Sequence, residues 1–166
     1  EQVQTIQELC IKNNKQLVIY ISMGFGNPYG DPYSTDTVLH WASNFAELDI
    51  PIISLADTVG VAEPKGIEKL FSHLVPKFPE IEFGAHFHST PQLWEEKIAA
   101  AYDNGCLRFD SALRGIGGCP MAQDDLVGNI ATENLVHFCQ ERNIPVPFNL
   151  ERFAAVGALA DKVFGH

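Results

Sequence analysis

The chain has 166 residues, 46% of them hydrophobic and 19% charged, with a formal net charge of −10. That size and balance fit one soluble globular domain with its own core. The acidic surplus argues against nucleic acid or an anionic membrane as partner, because both select basic patches, and no apolar run reaches the roughly 18 residues of a membrane span.

In chain order, Val3, Ile6, Leu9 and Cys10 recur at helical spacing, so residues 1–14 read as an amphipathic helix that Asn13 and Asn14 end. Residues 17–23 form a near-continuous apolar run, as expected of a strand buried on both faces. A Gly-, Pro- and Asn-rich loop follows over 24–31. Ser34 or Thr35 then caps a helix whose inward face is Val38, Trp41, Ala42, Phe45 and Leu48.

The pattern repeats. Residues 50–56 read as a strand and 57–63 as a loop. Pro64 opens a helix with Ile67, Leu70, Phe71 and Leu74 inward. Residues 81–88 read as a third strand. Pro91 opens the next helix, with Trp94, Ile98, Ala101 and Tyr102 inward and Gly105 placed to end it. Residues 106–112 read as a fourth strand, and a glycine-rich loop follows from Arg114 to Pro120. Helices at about 132–142 and 150–164 close the chain, with Thr132 and Asn149 as caps. Four strands alternating with helices predict an α/β fold with a parallel sheet, either open and doubly wound or part of a (β/α)₈ barrel. Periodicity leaves that choice open.

The chemistry-bearing residues gather at strand ends. His86 and His88 are two apart on the third strand, so both imidazoles share a face. That suits two ligands of one metal ion, against the plainer possibility of histidines satisfied by nearby carbonyls. Asp57 ends the second strand, either as a site carboxylate or as a turn or cap carboxylate. Ser22 ends the first strand, and Asp110 and Ser111 lie near the end of the fourth. Cys119 sits between Gly118 and Pro120 on the glycine loop, where a shaped turn presents the thiol or simply buries it. Asn129 could add a neutral oxygen to the two imidazoles, or be a plain loop residue. Imidazole, carboxamide, carboxylate and water donors suit a six-coordinate Mg²⁺ or Mn²⁺ ion rather than structural zinc. The four cysteines (Cys10, Cys106, Cys119 and Cys139) show no C-x-x-C spacing and read as reduced thiols of a cytoplasmic protein.

Four stretches carry a resemblance across most of the chain: Ser54-Leu55-Ala56-Asp57-Thr58-Val59-Gly60-Val61, Gly84-Ala85-His86-Phe87-His88-Ser89-Thr90, Gly117-Gly118-Cys119-Pro120 and Gly128-Asn129-Ile130-Ala131-Thr132-Glu133. With these motifs the chain resembles the C-terminal part of 3-hydroxy-3-methylglutaryl-CoA (HMG-CoA) lyases, within a superfamily of metal-dependent TIM-barrel lyases and aldol-type synthases. The resemblance implies the C-terminal half of a TIM (β/α)₈ barrel, four parallel βα units plus C-terminal helices. It implies His86, His88 and Asn129 as metal ligands, Cys119 as a proton donor, and Asp57 as an aspartate near substrate. The implied reaction is cleavage of an acyl-CoA substrate, HMG-CoA, to acetyl-CoA and acetoacetate. The expected catalytic residues are thus Cys119, Asp57 and His86, with Mg²⁺ or Mn²⁺ as cofactor.

The family's Asp metal ligand and neighbouring Arg on the first barrel strand have no counterpart here, and the loop from Cys119 to Asn129 reads one residue longer than in animal members. Residues 1–166 are therefore expected to form a partial barrel domain lacking the N-terminal strands, inactive or nearly so alone. The opening at Glu1 with no initiator Met fits a fragment or processed chain. The alternatives are an aldol-type acyl-CoA synthase, or a non-catalytic half-barrel that assembles as a homo-oligomer.

Overall fold

In a computed structural model, which describes residues 1–118 and 127–165, the expected parallel strands form one sheet. They are β1 (Val18–Ile21), β2 (Ile52–Asp57), β3 (Glu82–Ser89) and β4 (Arg108–Phe109), paired in the order β1-β2-β3-β4. Spatial order therefore follows chain order. A doubly wound sheet reverses its order at a switch point, whereas a barrel wall does not. The barrel alternative is the one the structure adopts. A short fifth strand, β5 (Gly128–Asn129), pairs antiparallel to the end of β3, a departure from the all-parallel expectation.

Register separates two faces. Ile53 and Leu55 of β2 lie beside Phe83 and Ala85 of β3, and all four join the core with helix residues Val38, Ala42, Ile67, Leu70, Phe71, Leu74, Ile98 and Ala101. These helix residues come from α2 (Thr35–Ala46), α3 (Pro64–Lys77) and α4 (Trp94–Tyr102). Because side chains alternate along a strand, the opposite face presents Tyr20, Ser54, Ala56, Gly84, His86 and Arg108, which the same register sets side by side.

Local signals acted largely as expected. Ser34 Oγ accepts from the Thr37 N–H at the start of α2. Pro64 occupies the first turn of α3. Asn149 Oδ1 accepts from the Arg152 N–H to open α6 (Leu150–Phe164). Asn13 closes α1 (Gln2–Lys12), its Nδ2 donating to the Leu9 carbonyl.

Several boundaries differ, each for a physical reason. Strand β1 is shorter than 17–23 and only half-buried, because it is an edge strand whose inner face meets solvent; Tyr20 is 47% exposed. In α1 the buried residue is Gln7, whose Nε2 donates to the Asp49 carbonyl at 2.7 Å, while Ile6 and Leu9 point outward. Trp41 also lies outside, 48% exposed and stacked on Phe45. Pro91 belongs to a turn, closed by the Leu93 N–H on the Thr90 carbonyl, and α4 starts at Trp94. Strand β4 is two residues long because its chain then leaves the sheet: the Ala112 N–H donates to the Ile130 carbonyl. Thr132 is the first residue of α5 (Thr132–Glu141) rather than its cap; its hydroxyl is engaged with Ser111 Oγ at 3.0 Å.

Candidate metal centre

The C-terminal ends of the strands border a pocket of about 430 Å³ lined by Tyr20, Ser22, Ala56, Thr58, His86, His88, Gly117, Gly118 and Asn129. His86 and His88 both point to the inner face from β3, their ring centroids 5.2 Å apart and nearly perpendicular. Asn129 lies directly opposite His88 in the antiparallel β3–β5 register, so the two side chains stand on the same face. The structure thus brings together the two histidines and the asparagine picked from sequence.

Each of the three is held by one atom and has another left over. His88 Nδ1 lies 3.1 Å from the Val127 carbonyl oxygen, which can only accept, so Nδ1 carries the proton. Burial pushes the His88 pKa down, favouring the neutral ring. His86 Nδ1 lies 3.3 Å from Asp110 Oδ2. The hydrogen bond from His86 and a second from Tyr20 hold the Asp110 carboxyl below its ordinary value, so it is an ionised acceptor. The Tyr20 hydroxyl donates to the same oxygen at 2.8 Å, and burial followed by this bond raises the phenol pKa. Asn129 Nδ2 donates to the Ile116 carbonyl at 3.0 Å. Nε2 of both histidines and Oδ1 of the asparagine keep their lone pairs, with no hydrogen-bond partner among the described residues. Histidines anchored through Nδ1 by an oxygen acceptor, with Nε2 free, are the usual arrangement of metal ligands. The donor set, two imidazoles and a carboxamide oxygen, fits a divalent ion completed by further oxygen donors. No group of three or more His, Cys, Asp or Glu gathers in metal-binding range among the described residues.

The glycine loop is shaped around Asn129. Gly117 has φ +96°, and a Cβ there would lie 2.9 Å from Asn129 Nδ2. The Asn129 N–H in turn donates to the Gly117 carbonyl at 3.1 Å. Only glycine permits both the backbone angle and the approach. Cys119, the expected proton donor of that loop, lies outside the described residues.

Asp57 is not part of the cluster. It is paired in register with Phe87, not with His86, so its side chain enters the helix layer. There it is 1% exposed, with Oδ2 2.7 Å from Lys97 Nζ and Oδ1 accepting from the Ala62 N–H. Strand parity sets its side chain behind the sheet, and the turn-carboxylate alternative describes the bonds it makes there. Sequence reasoning also passed over Tyr20 and Lys97. Tyr20 was signalled by its place two residues before Ser22, at the end of the first apolar run. Lys97 was signalled by its place between Trp94 and Ala101 on the inward face of α4.

Parallel strands in chain order, with convergent metal-type donors at their C-terminal ends, define a (β/α)₈-barrel enzyme wall, the architecture in which function sits at that end. The chain belongs to the HMGL-like family, whose model matches residues 1–160. It is 30% identical over 154 residues to a hydroxymethylglutaryl-CoA lyase of Bacillus subtilis, covering 93% of this chain and 51% of that protein. It is 34% identical over 137 residues to an (R)-citramalyl-CoA lyase of Chloroflexus aurantiacus, covering 82% and 43%. Among solved structures, an HMG-CoA lyase of Acinetobacter baumannii in complex with coenzyme A and 3-methylmalate superposes with a TM-score of 0.85 at 32% identity, covering 99% of this chain and 53% of that one. The chain spans about half the length of the relatives it matches.

Proposed function

We propose that residues 1–166 supply the metal-holding half of a carbon–carbon lyase site that cleaves HMG-CoA to acetyl-CoA and acetoacetate. The observation that supports this most is a trio of donor atoms around one pocket that no described residue engages: Nε2 of His86, Nε2 of His88 and Oδ1 of Asn129. His86, His88 and Asn129 would hold Mg²⁺ or Mn²⁺, which supplies Lewis-acid polarisation and acidifies the substrate's C3 hydroxyl. In the balanced reaction the C3 hydroxyl gives its proton to solvent, the C2–C3 bond breaks, and C3 becomes the ketone of acetoacetate. The bonding electrons leave on C2 as the enolate of acetyl-CoA, which takes up a proton. Cys119, on the loop whose glycines embrace Asn129, is the proposed donor; an ordinary thiol pKa of about 8.5 suits that task near neutral pH. Asp110 and the Val127 carbonyl keep the two imidazoles in the tautomer that presents Nε2.

The similarity to a citramalyl-CoA lyase supports a second substrate of the same chemistry, a tertiary hydroxy acid thioester. It is distinguished by its product, since the same bond cleavage there yields pyruvate instead of acetoacetate.

Titration of the chain with Mn²⁺, followed by the electron paramagnetic resonance of the free ion, tests the metal site. The wild-type chain is expected to take up Mn²⁺, and His86→Gln, His88→Gln and Asn129→Ala each to weaken uptake by more than about tenfold. A wild-type chain that leaves the Mn²⁺ signal unchanged, or variants that bind as it does, would overturn the reading.

A further inference from the structure

Lys97 is 3% exposed, and an unpaired ammonium is rarely tolerated at such depth. It reaches from α4 across the helix side of the sheet. Its Nζ donates to Asp57 Oδ2 at 2.7 Å, to the His88 carbonyl at 2.8 Å and to the Gly60 carbonyl at 3.1 Å. An ammonium has three protons and no acceptor, so the three bonds satisfy it completely. The carboxylate that balances its charge is tied in turn to the Ala62 N–H.

These partners share a consequence. Asp57 ends β2, Gly60 and Ala62 belong to the loop after it, and the His88 carbonyl lies near the end of β3. The ammonium therefore joins the tips of the two central strands from behind. Gly60 also reaches the far side of His88. With φ +77°, it approaches Val127 so closely that a Cβ would lie 2.6 Å from Val127 Cγ1, and the Val127 carbonyl is the group that accepts from His88 Nδ1. One cation thus fixes the main chain of His88 directly and supports the acceptor of its imidazole through Gly60 and Val127. A buried ion pair is weak evidence of stabilisation, because desolvation offsets the attraction. A hydrophobic residue would fill the same space on the inward face of α4, beside Trp94 and Ala101, without that cost. The placement of the charge at the back of His88 calls for a different reason.

We propose that Lys97 is a positioning residue for the metal centre: its ammonium, clamped between Asp57 and the His88 and Gly60 carbonyls, sets the position and tautomer of the His88 imidazole from the opposite face of the sheet. The role rests on the reading of His88 as a metal ligand.

The test compares wild-type chain with a Lys97→Met/Asp57→Asn double variant, which removes both charges together so that neither is left buried alone, and with the milder Lys97→Gln. Three measurements are made on each: cooperative urea unfolding, Mn²⁺ affinity, and long-range ¹H–¹⁵N spectra that report the tautomer of each histidine. In a folded variant, Mn²⁺ affinity is expected to fall about ten- to a hundredfold, the range seen when supports of a metal-bound histidine are removed. The His88 ring is expected to shift from a single Nδ1-protonated form toward a tautomer mixture, while His86, held by Asp110, is unchanged. A folded variant with wild-type affinity and wild-type His88 signals would show that the pair serves the fold alone and would sink the proposal. So would failure of both variants to fold, because the lysine would then act on the whole core and not on His88. If the wild-type chain binds no Mn²⁺, the metal reading fails, and the His88 spectra alone decide the role of Lys97.

Discussion

His86 and His88 differ in what holds them, and the difference was only half legible in the sequence. Their i, i+2 spacing places two imidazoles on one face of a strand, and the structure has them there. Their anchors, Asp110 and the Val127 carbonyl, come from segments 24 and 39 residues away, a distance that spacing cannot read. Asp57 shows a second limit: an acid at a strand end reads as facing the pocket or a turn alike, and parity turns its side chain toward the helices and Lys97. Parity is readable only once the register with β3 is known. At the same scale, Cys106 gives a prediction free of the metal centre. The thiol is buried and donates to the Arg108 carbonyl at 3.2 Å, and burial pushes its pKa up to about 12. A pKa raised in the folded state contributes stability that is complete below the unfolded value, about 9, and is lost as pH rises above it, because the unfolded chain can then ionise where the folded one cannot. Near pH 10 the loss from this thiol alone is about 1.4 kcal/mol. Tyr20 and Tyr33, also raised, add to the decline above about pH 10. Urea unfolding between about pH 8 and pH 10 is expected to show the fall, and Cys106→Ser, which keeps a donor but does not ionise, to flatten its lower part.

Elements with a local start signal were read well, and elements defined by distant partners were not. Ser34, Pro64 and Asn149 mark helix starts through groups within three residues. Strand β4 reads as a seven-residue run, but only Arg108 and Phe109 find a ladder partner in β3, and the chain beyond is drawn to the segment before α5. Helix α6 depends on a similar long reach. Arg114, itself at φ +56°, donates from Nε and Nη2 to both oxygens of Asp161 at 2.7 Å and lies 3.5 Å from Glu133 of α5. A bidentate pair of this kind fixes orientation as well as distance. Removing it with Arg114→Ala is expected to speed amide hydrogen exchange across Leu150–Phe164 while leaving the β2 and β3 amides as slow as before. Equal exchange in α6 of the variant and the parent would show that the Arg114 pair is not what docks that helix.

For the whole molecule, the strand order decides the architecture, and the sequence could not supply it: alternating strands and helices are common to barrels and doubly wound sheets. The residue motifs carried the family instead, and the match over residues 1–160 agrees. The chain corresponds to about half the length of its relatives, and its sheet path ends at β1 on one side and β4 on the other. Our proposal of a half-site therefore carries a whole-molecule expectation. With Mg²⁺ and HMG-CoA, residues 1–166 alone should bind metal yet release no acetoacetate above the uncatalysed rate, as followed by coupled reduction of the product. Steady turnover by the chain alone would mean that these four strands hold a complete site.

The two-faced register of β2 and β3 has a consequence for how such a chain tolerates change over generations. Successive codons in these strands answer to different selective demands: Ile53, Leu55, Phe83, Ala85 and Phe87 to the packing of the helices, and Ala56, His86 and His88 to the pocket. Substitutions can accumulate on one set without disturbing the other, so chemistry can diverge while the scaffold persists. An insertion or deletion of a single residue has no such freedom, because it moves both imidazoles into the hydrophobic layer and the hydrophobic layer into water at one stroke. Lys97 and Asp57 are where the two sets meet, since one of the bonds of that pair ends on His88 itself.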